Sequence, residues 1–244
     1  MPKLFRAAKQ NRIFQDVVEQ IQEAIISGRL NVGDRLPAER ELKEMLQTSR
    51  STLREALRVL EQKGLIEIKL GMGGGALVKT VSSDQVSESL DLLIRSQKVS
   101  LNHIAEFREK VEGDIAAIAA RKATKENIKV MKKLLENARN AVEKGNDGHQ
   151  IFIKADKEIH LYFAQISENP IYISILKTIH DNINRYYDQY LSMEEREMKE
   201  NLRDLENVIQ AVENGRDEDA CNLVRSHVRR FSSYMEKREK EISE

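Results

Sequence analysis

Two arginines one helical turn apart, Arg50 and Arg54 in SRSTLRE, carry planar donor forks that suit guanine edges and phosphate oxygens. Ser51 and Thr52 add short hydroxyl donors, while Leu53, Ala56 and Leu57 point the other way on a helix. One segment therefore offers an apolar side to bury and a donor side to present. Arg35 and Arg40 flank the preceding helix and extend the basic set to phosphate or base contacts. An isolated pair of arginines at this spacing is usually a solvated helix face, so the reading depends on the surrounding elements. A second spacing with chemistry is Asp156 and His160, four residues apart and so on one helix face, where they suit two ligands of one cation. Taken alone, that pair is more often a surface salt bridge.

The elements around the arginines have a definite order. From Arg12 to Ser27, Ile13, Val17, Ile21 and Ile25 recur every fourth position and predict a helix closed by Gly28. GRLNVGDRLP reads as a loop leading to a short second helix from near Ala38, with Leu42, Met45 and Leu46 on its apolar face. Thr48 and Ser49 interrupt, a third helix runs from about Arg50 to Lys63, and Gly64 closes it. Alternation in LIEIKL, then GMGGG and ALVKT, predicts a β-hairpin tipped by Gly71, Gly73, Gly74 and Gly75. Three helices and a hairpin make a winged helix-turn-helix, and that context turns the arginine pair into a DNA-reading face.

Beyond Thr80 the period is helical almost throughout. The pattern predicts helices near 84–96, 101–121, 125–144, 152–167, 171–190, 194–213 and 217–240, with a capping box from Ser192 to Glu195. The expected fold is mainly α: the winged helix-turn-helix over 1–80, joined to an all-α bundle of six or seven helices over 81–244.

Composition narrows the function. A chain of 244 residues is long enough for two domains, each with its own core. Apolar runs fall far short of the roughly 20 residues that span a bilayer, and the N-terminus has no apolar signal core, so the expectation is a cytoplasmic protein without a membrane partner. Cys221 is alone, which removes disulfide frameworks and cysteine zinc sites. The zero net charge conceals an asymmetry: residues 1–80 hold 14 Lys/Arg against 10 Asp/Glu, and the remainder 26 against 30. The front is net positive, a weak pointer to nucleic acid.

The stretch GRLNVGDRLPAERELKEMLQTSRSTLREALRVLEQKGLIEIKLGMGGG resembles the GntR family signature, including LPAERE, the SR-x-T-LREAL recognition helix, the KGLI step and the glycine wing. The resemblance implies DNA contacts at Arg35, Arg40, Arg50, Ser51, Thr52, Arg54 and wing Gly71. Lys43 departs from the small residue common there, and the long wing tip is unusual. AEFREKVEGDIAAIAARKAT, ADKEIHLYFAQISENP and IQAVENGRDEDACNLVRSH are similar to the FCD effector domain of the FadR-like branch. Many members of that branch hold a divalent metal with one aspartate and three histidines and bind an organic acid. By resemblance three of those ligands fall on Asp156, His160 and His227, and the remaining place is taken by Leu205, which cannot ligate. Three ligands with waters or an effector carboxylate still suit zinc, nickel or manganese; a metal-free polar pocket is the alternative, and His180 is a candidate substitute ligand. Arg108 sits where the family often lines the cavity with an arginine. It suits a carboxylate effector in fork geometry, or an intramolecular bridge to Glu112.

The expected function is a sequence-specific, homodimeric transcription regulator on a palindromic double-stranded operator, controlled by a small organic acid. An architectural DNA-binding dimer without ligand is the alternative. A metal-dependent hydrolase lacks a supporting motif, with no HExxH, phosphate loop or GxSxG in the chain.

Overall fold

The structure is a computed structural model that describes residues 12–71, 74–80, 84–96, 99–186 and 192–243. They fall into two compact units, divided between Gln85 and Val86.

The first unit contains α1 (Arg12–Ile26), α2 (Glu39–Met45), α3 (Arg50–Gln62), β1 (Ile66–Lys69) and β2 (Gly75–Val78). Val17, Val18 and Ile21 of α1 share a core with Leu53, Ala56, Leu57 and Leu60 of α3, and Leu42 of α2 joins it. The turn between α2 and α3 passes through Gln47 at φ 47°, a left-handed conformation uncommon outside glycine. Ser49 then caps α3: its Oγ accepts the backbone N–H of Thr52 at 3.1 Å, a bond worth about 1 kcal/mol to a helix start. That cap fixes where the recognition helix begins. The hairpin is antiparallel, with Ile66 opposite Val78 and Lys69 opposite Gly75. The segment expected to be plain loop pairs with it as well, since Gly33 N–H donates to Val78 O and Leu36 N–H to Ala76 O, each at 2.9 Å. Ile13 and Met45, expected inward, are exposed at 59% and 70%. α2 is a single short helix in which Leu42 takes the inward place, and Ile13 precedes the α1 positions that reach the core. Gly73 of the expected wing tip lies outside the described residues.

Among the described residues seven α-helices follow, the first of them crossing the division: α4 (Asp84–Arg95), α5 (Leu101–Lys122), α6 (Lys125–Val142), α7 (His149–Ser167), α8 (Pro170–Tyr186), α9 (Glu195–Glu213) and α10 (Asp217–Ser243). A short 3-10 turn, Gly145–Gly148, leads into α7. Ser100 with His103 and Thr124 with Asn127 form capping boxes that start α5 and α6. The box expected from Ser192 to Glu195 is instead formed by Glu194 and Glu197, because α9 begins at Glu195 and its third helical position is Glu197. Residues 187–190, expected to extend α8, lie outside the described residues.

α5 and α10 pack along much of their length. A Cβ at Gly113 would lie 2.8 Å from Arg225 Cγ and 3.1 Å from the Cys221 carbonyl oxygen, so glycine permits this close approach. The core is aliphatic and aromatic, with Phe152, Ile159, Phe163, Met198, Leu205 and Val228 all 1% exposed or less. Among the described residues no helix is long and apolar enough to cross a membrane.

Candidate functional site

In the first unit, α3 presents its donors from its first turns. Arg54 Nε lies 3.2 and 3.1 Å from the two carboxylate oxygens of Glu39 on α2, and Arg50 Nε lies 3.5 Å from one of them. One carboxylate thus gathers both recognition arginines, whose side chains remain 71% (Arg50) and 58% (Arg54) exposed. Such solvated pairs contribute about 0–1 kcal/mol, so they organise the forks without locking them. The Ser49 hydroxyl meets those of Ser51 at 2.9 Å and Thr52 at 2.8 Å. Arg35 pairs backbone-to-backbone with Leu77, and its guanidinium donates to the Gly74 carbonyl at 3.3 Å, which ties it to the wing. Arg40 is exposed on α2, and Gly71 is exposed at φ 99°. Glu39 was absent from the sequence reading, because its role depends on the packing of α2 against α3.

In the second unit, five helices bring polar side chains into the core. α5 supplies Arg108 and Glu112, α7 Asp156 and His160, α8 His180, α9 Asp204, and α10 His227. All but Asp204 are buried, with His160 and His227 1% exposed. The centre is the Asp156 carboxylate: its Oδ1 accepts a hydrogen bond from His227 Nε2 at 3.0 Å and lies 3.8 Å from His160 Nε2. The His160 and His227 rings stack at 5.1 Å between centroids. At the back of each ring stands another carboxylate. His160 Nδ1 touches Glu112 Oε2, and His227 Nδ1 lies 3.7 Å from Asp204 Oδ2, which also meets Arg230 Nε at 2.9 Å.

Glu112 has three partners. Arg108 Nε donates to its Oε1 at 2.5 Å, His180 Nε2 lies 3.3 Å from the same oxygen, and His160 meets the other. Of the two partners open to Arg108, the structure shows the intramolecular one. The pocket beside Arg108, bounded by Leu101, Ile104, Ile183 and Met235, is about 10 Å³, room for one water. His180 faces inward as the sequence reading allowed, but it joins Glu112 and His160 on the far side of the His160 ring from Asp156. Leu205 is packed into the core at 1% exposure.

Charge follows geometry. Burial pushes Glu112 up, but Arg108, His160 and His180 outweigh it and hold the carboxyl well below the usual range. Burial likewise opposes ionisation of Asp156, yet His160 and His227 hold it at about 2. His227 is the reciprocal case: burial disfavours its charge, while Asp156 and Asp204 raise it to about 9. His180 is pushed down by burial and by Arg108, against the pull of Glu112. The centre therefore contains a buried Asp156–His227 ion pair beside an Arg108–Glu112 pair.

The residues fit a divalent cation. Donor atoms of Asp156, His160 and His227 lie within 4.8 Å of one another, and those of Glu112, His160 and His180 form a second such group. His160 Nε2, 3.8 Å from Asp156 Oδ1, is buried without a hydrogen-bond partner, whereas His160 Nδ1, His180 Nε2 and His227 Nδ1 face carboxylates off the hydrogen-bond line. Buried orphan nitrogens cost free energy, and a bound cation or polar ligand relieves that cost. In the first group the carboxylate–nitrogen separations of 3.0 and 3.8 Å suit a shared cation; in the second the Glu112 carboxylate is already held by Arg108.

Comparison with known proteins agrees with both units. Residues 14–75 match the model described as bacterial regulatory proteins, gntR family, and residues 103–230 match the FCD domain. The Uxu operon transcriptional regulator of Escherichia coli K12 is 32% identical over 171 residues, 70% of this chain and 65% of that protein. The HTH-type transcriptional repressor NanR of Salmonella bongori is 30% identical over 173 residues, 70% of this chain and 64% of its own. The chain thus spans just under two thirds of these relatives. A solved structure of a Streptococcus agalactiae GntR protein superposes with a TM-score of 0.70 at 24% identity, covering 90% of this chain and 99% of that one, which shows a shared fold. A GntR helix-turn-helix head followed by an FCD domain that fills more than half of the chain places this protein in the GntR family of bacterial regulators, as a member of its FCD-containing branch.

Proposed function

We propose that the chain is a sequence-specific DNA-binding transcription regulator that acts as a homodimer on a palindromic operator and responds to a small organic acid. The observation that carries the reading is the donor face of α3, with Arg50 and Arg54 gathered by Glu39 at the start of a capped recognition helix. One such helix reads a few base pairs, so two copies on two half-sites are needed for useful specificity. Arg50 and Arg54 take base edges, Ser51 and Thr52 short contacts, and Arg35, Arg40 and Gly71 the backbone and wing. A head over 1–80, a sensing and dimerising unit over 81–244, and a cytoplasmic setting belong to the same reading. The relatives named as regulator and repressor support regulation in place of catalysis.

In the sensing unit Asp156, His160 and His227 would hold zinc, nickel or manganese, a mixed oxygen and nitrogen set that suits each of them. Such a cation would supply Lewis acidity toward an acid's carboxylate. The protein's own residues do the rest. To serve as a ligand His227 would lose its Nε2 proton to solvent, and Arg108 would reach an acid's carboxylate only by releasing Glu112. The 10 Å³ pocket beside Arg108 must widen, because pockets for small organic ligands run to about 300 Å³ or more.

The test is selection of duplexes from a random pool, followed by anisotropy titration with and without a panel of hydroxy and sugar acids. An enriched palindrome whose affinity an acid changes is the expected result. A pool with no enriched sequence overturns the DNA reading. Less than about a tenth of an equivalent of metal after reconstitution overturns the metal part.

A further inference from the structure

Each imidazole of the Asp156 centre stands between two carboxylates. His160 presents Nε2 to Asp156 at 3.8 Å and Nδ1 to Glu112; His227 presents Nε2 to Asp156 at 3.0 Å and Nδ1 to Asp204 at 3.7 Å. The five side chains come from four helices, α7, α10, α5 and α9, so no local sequence pattern imposes the arrangement. The two outer carboxylates are themselves gripped from behind, Glu112 by Arg108 at 2.5 Å and Asp204 by Arg230 at 2.9 Å.

We propose that Glu112 and Asp204 are the positioning residues of the cation centre, each accepting the Nδ1 proton of one ligand imidazole and so turning its Nε2 lone pair toward the shared cation with Asp156. The proposal rests on the metal reading above. An imidazole that ligates through one nitrogen needs its proton on the other, and a carboxylate there selects that tautomer, fixes the ring and raises its basicity. His227 Nδ1 fits this role, since it is buried without a hydrogen bond and faces Asp204 Oδ2 across 3.7 Å, the oxygen that Arg230 holds from the other side. The role has special weight here because Leu205 fills the place where the family resemblance expects a further ligand. With three protein ligands, correct ring placement carries more of the affinity. Asp204 stands beside Leu205 on α9, so the same helix that offers no ligand there supplies an outer carboxylate instead. His180 belongs to the same system, lying 3.3 Å from the Glu112 oxygen that Arg108 holds.

The experiment measures cobalt(II) and zinc(II) affinity of the full chain by chelator competition, with the cobalt visible spectrum and the metal-free melting temperature as further readouts. Asp204→Asn is the primary variant, because Asp204 is the less buried carboxylate and the substitution keeps its shape. Glu112→Gln is the second, and Glu109→Gln is the control, since Glu109 lies on α5 but pairs outward with Arg229. The expected result is cation affinity roughly 10–100-fold weaker in Asp204→Asn and in Glu112→Gln, with an altered cobalt spectrum and no change in the control. Asp204→Asn also loosens the contacts of Asp204 with His227 and Arg230, so affinity is compared below the melting transition of the folded variant, and the altered cobalt spectrum separates positioning from a purely structural role. If Glu112→Gln fails to fold, Asp204→Asn alone decides. Affinity within twofold of the parent in folded Asp204→Asn overturns the proposal while the metal reading stands. A parent chain that binds neither ion overturns the metal reading and this proposal together.

Discussion

Arg54→Ala removes one guanidinium from the first turns of α3 and leaves Glu39 with only the longer 3.5 Å contact to Arg50. A bidentate arginine on guanine is worth about 1–3 kcal/mol of discrimination, whereas the exposed bridge to Glu39 that DNA must displace returns about 0–1 kcal/mol. The net loss is therefore about 1–2 kcal/mol per half-site, and about 2–4 kcal/mol for a dimer on two, or roughly 30–1,000-fold in affinity. Because the side chain is 58% exposed and outside the core, the melting temperature should barely move. The assay is fluorescence anisotropy of the pool-selected duplex and of a scrambled duplex, each across a salt series. Specific affinity should collapse toward the scrambled value while scrambled binding changes little. Glu39→Gln should act in the opposite sense on the scrambled duplex, strengthening it by removing a carboxylate from the phosphate-facing side. Equal losses on both duplexes for Arg54→Ala, with a salt slope lower by about one per half-site, would refute base reading and make Arg54 a phosphate contact.

The buried ion pair makes metal-free stability depend on pH. Asp156, at about 2 against an ordinary 3.8, contributes stability above pH 3.8 that is lost as pH falls through 2; His227, at about 9 against 6.5, contributes stability complete below pH 6.5 and lost as pH rises through 9. Urea midpoints in chelator should be highest between those limits and decline from pH 6.5 to 9.5; a flat alkaline limb refutes the pairing. Leu205→His restores an imidazole at the place of the missing ligand, so cobalt affinity should rise at least about tenfold. Without metal the same variant should lose about 1–3 kcal/mol, because it leaves a polar ring in an apolar site, and unchanged cobalt affinity in folded protein would count against that position.

Local chemistry carried the head. Four-residue apolar periodicity, the glycine punctuation and the alternation of LIEIKL depend on contacts within a few residues, and so the three helices and the hairpin were legible from the chain. The same holds for the helical texture of the second unit, although the α9 cap lies two residues later than the spacing suggests because the helix begins at Glu195 with Glu194 as its cap. What tertiary structure alone decided was the company each polar residue keeps. Asp156 and His160 announce themselves by spacing, but Asp204 lies 23 residues from His227 and Glu112 lies 48 from His160, and only packing of separate helices brings each to its ring. Glu39 gathers Arg50 and Arg54 for the same reason, across the turn between α2 and α3. Backbone periodicity is written locally, whereas the partner of a buried charge is set by whichever helix crosses it, and that crossing is a property of the whole core.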